Sequence, residues 1–286
     1  MASDNLTGIL QQLDKLKGWL DYFRPFPASV VAELKKFYDV RYTYHSNAIE
    51  GNTLSQSETE MVLEKGITVG GKTLTEHLEV IGHKEAIDYI EELARKETPV
   101  GEWEIRQIHS LILRTIDQVT AQNHAGRYRT LDVRAAGTGH LYPPHYQIAE
   151  RMERFVKWLS EEDIPPLHPV ERAAQTHYRF VAIHLFQDGN GRVARLLMNL
   201  MLLREGYPIA VIPNEARSAY IDSLVHAQNQ DDDCVPLTLL VAGAVRDSLV
   251  EYLRILSTTP DSQGRGQPFY QEILGYLNTS VSHGGE

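Results

Sequence analysis

His184-Leu185-Phe186-Gln187-Asp188-Gly189-Asn190-Gly191-Arg192-Val193-Ala194-Arg195 joins two helical stretches through a short loop. Helical periodicity runs from about Pro169 to His184 and again from Arg192 to Arg204, so a helix ends at a histidine and a new one opens with two arginines. Glycines at 189 and 191 permit unusual backbone angles and close approach. Successive amides there can form an anion nest, and they sit where a helix N-terminus favours negative charge. Asp188 is suited to a divalent ion such as Mg²⁺, which takes one or two protein carboxylates and fills its other positions with water and phosphate oxygens. Arg192 and Arg195, one helical turn apart, are suited to further phosphate oxygens. His184 titrates near neutrality and can take a proton from an incoming hydroxyl. Taken singly, each feature has a plainer reading: a turn, a helix-end histidine, a capping aspartate. Together they describe a site for phosphate chemistry, and the pattern matches neither a Walker A loop nor a GxGxxG turn after a strand.

Outward from this loop the chain reads as mostly α. Leu6 to Leu20 has helical spacing, and Pro25 and Pro27 break it. A second helix runs from Ala28 to about Tyr44 and continues through Ser46-Asn47-Ala48-Ile49-Glu50 to a stop at Gly51-Asn52. Ser57 with Glu60, and Thr73 with Glu76, have capping-box spacing. The second box opens an amphipathic stretch to about Arg95, and Trp103 to Thr115 follows. The least helical part is 130–142, where Gly137-Thr138-Gly139 reads as the turn of a short β-hairpin closed by Pro143-Pro144. Helix resumes at Ile148 to Leu159, and later at Ala216 to Gln228 and Leu237 to Leu256. Thr258 to Gln267 is a linker, and Phe269 to Leu277 is one or two amphipathic turns.

The 286 residues can bury a sizeable core. A formal net charge of −10 argues against a nucleic-acid coat. No apolar run reaches the roughly 18 residues of a membrane span, and the N-terminus lacks a secretory pattern. One cysteine, Cys234, fits a reducing compartment and a cytoplasmic location. His168, His177 and His184 carry no metal-site spacing and read as structural apart from the loop histidine.

The loop resembles the HPFxxGNGRxxR motif of the Fic family, with Leu185 standing where the family has proline. The resemblance runs from about Arg41 to Arg246 and includes His168-Pro169 and Phe180. It implies a Fic-type helical bundle with a β-hairpin flap at 130–142, a catalytic core over 101–256, an N-terminal helical region over 1–100, and a linker and tail over 257–286. It implies a protein adenylyltransferase, in which AMP passes from ATP, with Mg²⁺, to a Ser, Thr or Tyr hydroxyl of a target protein. In that likeness His184 is the general base and Asp188 the Mg²⁺ ligand. Gly189, Asn190 and Gly191 form the anion hole, Arg192 contacts phosphate, and Arg195 holds the γ-phosphate. The flap aligns the target by strand pairing. Tyr220 takes a position that stacks on the base, and Gln228 lies where relatives have asparagine.

Ser46-Asn47-Ala48-Ile49-Glu50-Gly51-Asn52 resembles the family's inhibitory motif. It implies that Glu50 pairs with Arg195 and denies it to the γ-phosphate, with Ser46 fixing the glutamate one turn away. The same glutamate is placed to orient water for removal of AMP. Such proteins also form homodimers. The alternative from another class is a catalytically silent Fic-fold scaffold, which an intact loop argues against.

Overall fold

The computed structural model describes residues 2–96, 99–120, 122–135, 139–160, 167–263 and 267–281. They are mostly helical, in the order α1 (Ala2–Tyr22), α2 (Ala28–Ile49), α3 (Gln56–Lys65), α4 (Leu74–Ala94), α5 (Glu102–Thr120), α6 (Ile148–Ser160), α7 (Pro169–Ile183), α8 (Asn190–Arg204), α9 (Arg217–Asn229) and α10 (Val235–Thr258). A last helix, Tyr270–Val281, follows as one continuous element.

The loop quoted above leads into the centre of the bundle. Helix α8 is buried on all sides from Arg192 to Leu202, and it packs against α7, α4 and α5. A helix that carries apolar residues all round must be surrounded in this way. Its first two turns are the exception in chemistry, because two buried arginines, Arg192 and Arg195, stand among the apolar residues there. One core cluster extends from Leu13 on α1 to Leu277 on the last helix, and α1 lies along α10.

Local signals fix the helix ends. Thr73 and Glu76 form the expected capping box of α4. The box before α3 lies two residues earlier than its spacing predicted: Ser55 and Glu58 form it, not Ser57 and Glu60. Both pairs share the Ser-x-x-Glu spacing, and only tertiary placement selects between them. Helix α2 ends where Gly51 takes φ 101° and the Asn52 N–H donates back to the Asn47 carbonyl at 3.1 Å. That turn leaves Glu50 on the helix end.

The segment 130–142 does not form two strands among its described residues. One isolated antiparallel bridge pairs Arg134 with Leu141, and residues 136–138 lie outside the described set. A buried arginine holds the segment in place of a ladder. Arg129 donates from Nη1 to the Leu131 carbonyl at 2.7 Å, from Nη2 to that of Pro143 at 2.5 Å, and from Nε to that of His184 at 2.7 Å. No helix among the described residues is long and apolar enough to cross a membrane.

Candidate active site

His184 caps α7 in the left-handed conformation, φ 49° and ψ 57°, which a non-glycine residue adopts only when its surroundings hold it there. Arg129 grips its carbonyl, and the Tyr142 ring stacks on its imidazole at 3.8 Å between centroids. Burial, and then the Arg129 charge, push its pKa down to about 4 against the opposing pull of Glu50 and Asp188. The imidazole is therefore neutral at pH 7. Leu185, in place of the family's proline, is fully buried and accepts the Arg129 N–H at 3.0 Å.

The loop after it is built from inside. Asn190 accepts the Phe186 N–H at 2.9 Å and donates to the Phe186 carbonyl at 2.8 Å. Its side chain thus closes the loop. Phe186 stacks on His109 of α5 at 3.5 Å. The His109 Nδ1 accepts the Gly126 N–H at 2.9 Å, so its Nε2 carries the proton and donates to the Asp188 carbonyl at 3.0 Å. Burial lowers its pKa to about 4, consistent with a neutral ring. Gly189 takes φ 78°, and a Cβ on it would lie 3.3 Å from the His109 ring.

The two arginines lie under this loop, 2 and 1 % exposed. Arg192 donates from Nη1 to Glu79 at 3.0 Å and from Nη2 to Asp188 at 3.0 Å. Arg195 donates from Nε to the Ser46 hydroxyl at 3.1 Å, and from Nη2 to the Ser46 carbonyl at 2.8 Å and Glu50 at 2.7 Å. Ser46 therefore holds the arginine, not the glutamate as the one-turn spacing implied. Gly191 makes room for the pair, since a Cβ there would collide with Glu50 Oε1. Arg217 donates to the Ile49 carbonyl at 2.8 Å and ties down the end of α2.

A cavity of about 380 Å³ opens over the loop. His184, Asp188, Gly189, Asn190, Gly191 and Glu50 line it, together with Tyr142 and Gln228. Tyr220 does not reach it. Its ring is 2 % exposed, and its hydroxyl accepts from Arg195 at 3.2 Å and pairs with His177 Nε2 at 2.8 Å. It stands behind the arginine, because α9 turns Ile221, Leu224 and Gln228 toward the cavity instead.

Asp188 is the loop's one carboxylate, with its side chain 66 % exposed. Among the described residues no group of three His, Cys, Asp or Glu could form an all-protein metal cage. An accessible carboxylate beside a glycine-containing loop at a helix N-terminus is a donor set that suits Mg²⁺, which retains waters and phosphate oxygens. His168 caps α7 instead, accepting the Val170 N–H at 3.1 Å. Sequence reasoning missed Glu79, His109, Arg129 and Tyr142. The one available signal was His109, a polar residue among Ile105, Ile108, Ile112 and Leu113 on the apolar face of α5.

The model of the Fic/DOC family matches residues 99–202. The protein adenylyltransferase fic-1 of Caenorhabditis elegans is 38% identical over 225 residues, covering 77% of this chain and 42% of that protein. Protein adenylyltransferase Fic of Drosophila erecta is 35% identical over 251 residues, 88% of this chain and 49% of that protein. The chain thus spans about half the length of the curated relatives it matches. Among solved structures, Fic-1 (aa134–508) from C. elegans superposes with a TM-score of 0.79 at 34% identity, covering 90% of this chain and 74% of that one. A Fic domain containing signaling protein from Bacteroides thetaiotaomicron gives 0.76 at 31% identity, covering 85% and 95%. On these grounds the chain belongs to the Fic/DOC family.

Proposed function

We propose that this chain is a protein adenylyltransferase that moves AMP from ATP to a Ser, Thr or Tyr hydroxyl of a target protein, and that Glu50 restrains it at rest. The observation that carries the reading is a neutral His184 opening on the same cavity as Asp188 and the loop residues 189–191. His184 takes the proton of the target hydroxyl as its oxygen attacks the α-phosphorus, and the bond to pyrophosphate breaks. The amides of Gly189, Asn190 and Gly191 bind phosphate oxygens, with Arg192 behind them. Arg195 holds the γ-phosphate once Glu50 releases it. Mg²⁺ held by Asp188 would neutralise charge on the α- and β-phosphates. The rest is positioning and electrostatics. Arg134, Ala135 and Tyr142 also line the cavity, which supports 130–142 as the segment that aligns the target. On this reading 1–100 presents the inhibitory helix, 101–256 carries catalysis, and 257–286 is a linker and tail whose helix Tyr270–Val281 packs back on the core, all in the cytoplasm.

Glu50 lines the cavity too, with its side chain 37 % exposed. That supports a second use of the site, in which Glu50 orients water against an AMP-modified target and His184 returns the proton to the leaving hydroxyl.

The reading is tested by intact-mass spectrometry of proteins incubated with the Glu50→Gly variant, Mg²⁺ and each of ATP, GTP, CTP and UTP. A mass gain of one AMP, with ATP alone or best, is expected. A silent scaffold would add no mass, and its melting temperature would not respond to ATP and Mg²⁺.

A further inference from the structure

Arg192 is a buried cation with two carboxylate partners of different kinds. Asp188 comes from the loop, lines the cavity and is mostly exposed. Glu79 comes from the second turn of α4, does not line the cavity and has a side chain only 20 % exposed. A carboxylate that shares its charge with a metal ion weakens its hold on an arginine. When Asp188 does so, Glu79 becomes the main counter-charge of a guanidinium that is 2 % exposed and whose Nε is buried with no hydrogen-bond partner among the described residues. A buried charge left without a partner is strongly unfavourable, and an arginine in that position would shift or draw in water.

Glu79 is itself held. Its second oxygen accepts from Asn52 Nδ2 at 2.8 Å. Asn52 donates also to the Glu76 carbonyl at 3.0 Å and accepts the Leu54 N–H at 3.0 Å, so its side-chain amide is fixed at both ends. Asn52 stands two residues after Glu50, on the turn that closes α2. The turn that presents the inhibitory glutamate to Arg195 thus also braces the carboxylate behind Arg192.

Resting on the nucleotide-binding role proposed above for Arg192, we infer that Glu79 is a positioning residue that holds Arg192 against the nucleotide phosphates, and that Asn52 braces it from the end of α2. Glu50 and Glu79 then act in opposite senses on the two arginines. Glu50 stands in the cavity and competes with a ligand for Arg195. Glu79 stands outside it and keeps Arg192 available.

The test is calorimetric titration of ATP with Mg²⁺ into a Glu50→Gly/His184→Ala parent, to which Glu79→Ala, Glu79→Gln, Asn52→Ala, Arg192→Ala and the Glu79→Ala/Arg192→Ala pair are added. Glu79→Ala is expected to weaken binding about tenfold, and Glu79→Gln, which keeps an oxygen for Arg192, to weaken it less. Asn52→Ala is expected to lose about threefold. Glu79→Ala should add nothing once Arg192 is gone, a non-additivity that a merely structural residue would not show. If Glu79→Ala fails to fold, Glu79→Gln and Asn52→Ala carry the test, and unchanged affinity in both overturns the inference. Affinity unchanged or tighter in Glu79→Ala overturns it, as does an undiminished loss in the Arg192→Ala background, while the function proposed above stands. A parent that binds no nucleotide overturns both.

Discussion

Arg195 Nη2 and Glu50 Oε1 meet at 2.7 Å beside Gly191, although 145 positions separate them in the chain. The arginine is buried and held by Ser46 at two further points, while the glutamate sits at the end of α2 with its side chain partly open to the cavity. The fixed partner is therefore Arg195 and the movable one is Glu50. On the function proposed above, relief of inhibition would need only a change at the end of α2.

Replacing Glu50 with Gly should free Arg195 without moving it, because both Ser46 contacts remain. AMP transfer is expected to rise about 10- to 100-fold, the usual range for coupling between sites. Initial rates at saturating ATP and Mg²⁺ check this, and an unchanged rate removes the inhibitory role.

Gly191→Ala should act mainly through Glu50, with a closer approach to the Arg195 guanidinium beside it. The position is in the first turn of α8 and not at positive φ, so alanine suits the backbone. Its Cβ would collide with Glu50 Oε1. Overpacking of this kind is expected to destabilise the wild-type chain by about 1–3 kcal/mol. In the Glu50→Gly background most of the penalty should disappear, leaving only the closer approach to Arg195. Melting temperatures of the four proteins in that cycle decide the matter.

Tyr220→Phe separates two roles for this ring. Buried behind Arg195, its hydroxyl links the guanidinium to His177. Losing it leaves buried polar groups unpaired and should lower stability by about 1–3 kcal/mol. A ring that stacked on the base would tolerate the change, since phenylalanine keeps the aromatic face. A lowered melting temperature supports the buried role; no change supports stacking.

Acid should destabilise the protein earlier than its carboxylates would suggest. Burial lowers the pKa of His109 from 6.5 to about 4, and burial followed by the Arg195 charge lowers that of His177 from 6.5 to about 3. Below pH 6.5 the unfolded chain binds more protons at these rings than the folded one, so stability falls as pH drops. Each ring is expected to remove about 2 kcal/mol between pH 7 and pH 5. Denaturant titrations at those two pH values test the trend, to which the buried His83 and His184 add in the same direction, and His109→Gln should flatten the dependence.

The fold and half of the site were legible because they are written in short stretches. The loop 184–195 carries its own glycines, carboxylate and arginines, and Ser46 to Asn52 carries the glutamate with its stop signal. The rest depends on chain crossings. Glu79 reaches Arg192 across 113 positions, and His109 reaches Asp188 across 79. Neither has a local motif, since a glutamate on a half-buried helix face looks like any solvated residue. Tyr220, which the resemblance placed over the base, lies behind Arg195, because a motif does not disclose which face of α9 turns to the cavity. The segment 130–142 has turn residues but is tied by Arg129, a cation whose three carbonyl partners no sequence pattern discloses.

The central claim is that His184 drives transfer of the AMP moiety and Glu50 restrains it. Its most direct test incubates wild-type, Glu50→Gly and Glu50→Gly/His184→Ala proteins with cell extract, Mg²⁺ and ATP labelled at either the α- or the γ-phosphate. Protein label from α-labelled ATP alone, strong with Glu50→Gly and lost on adding His184→Ala, is the expected result. Label from γ-labelled ATP would mean phosphoryl transfer, and no label from either would mean that the site does not transfer AMP; both contradict the account.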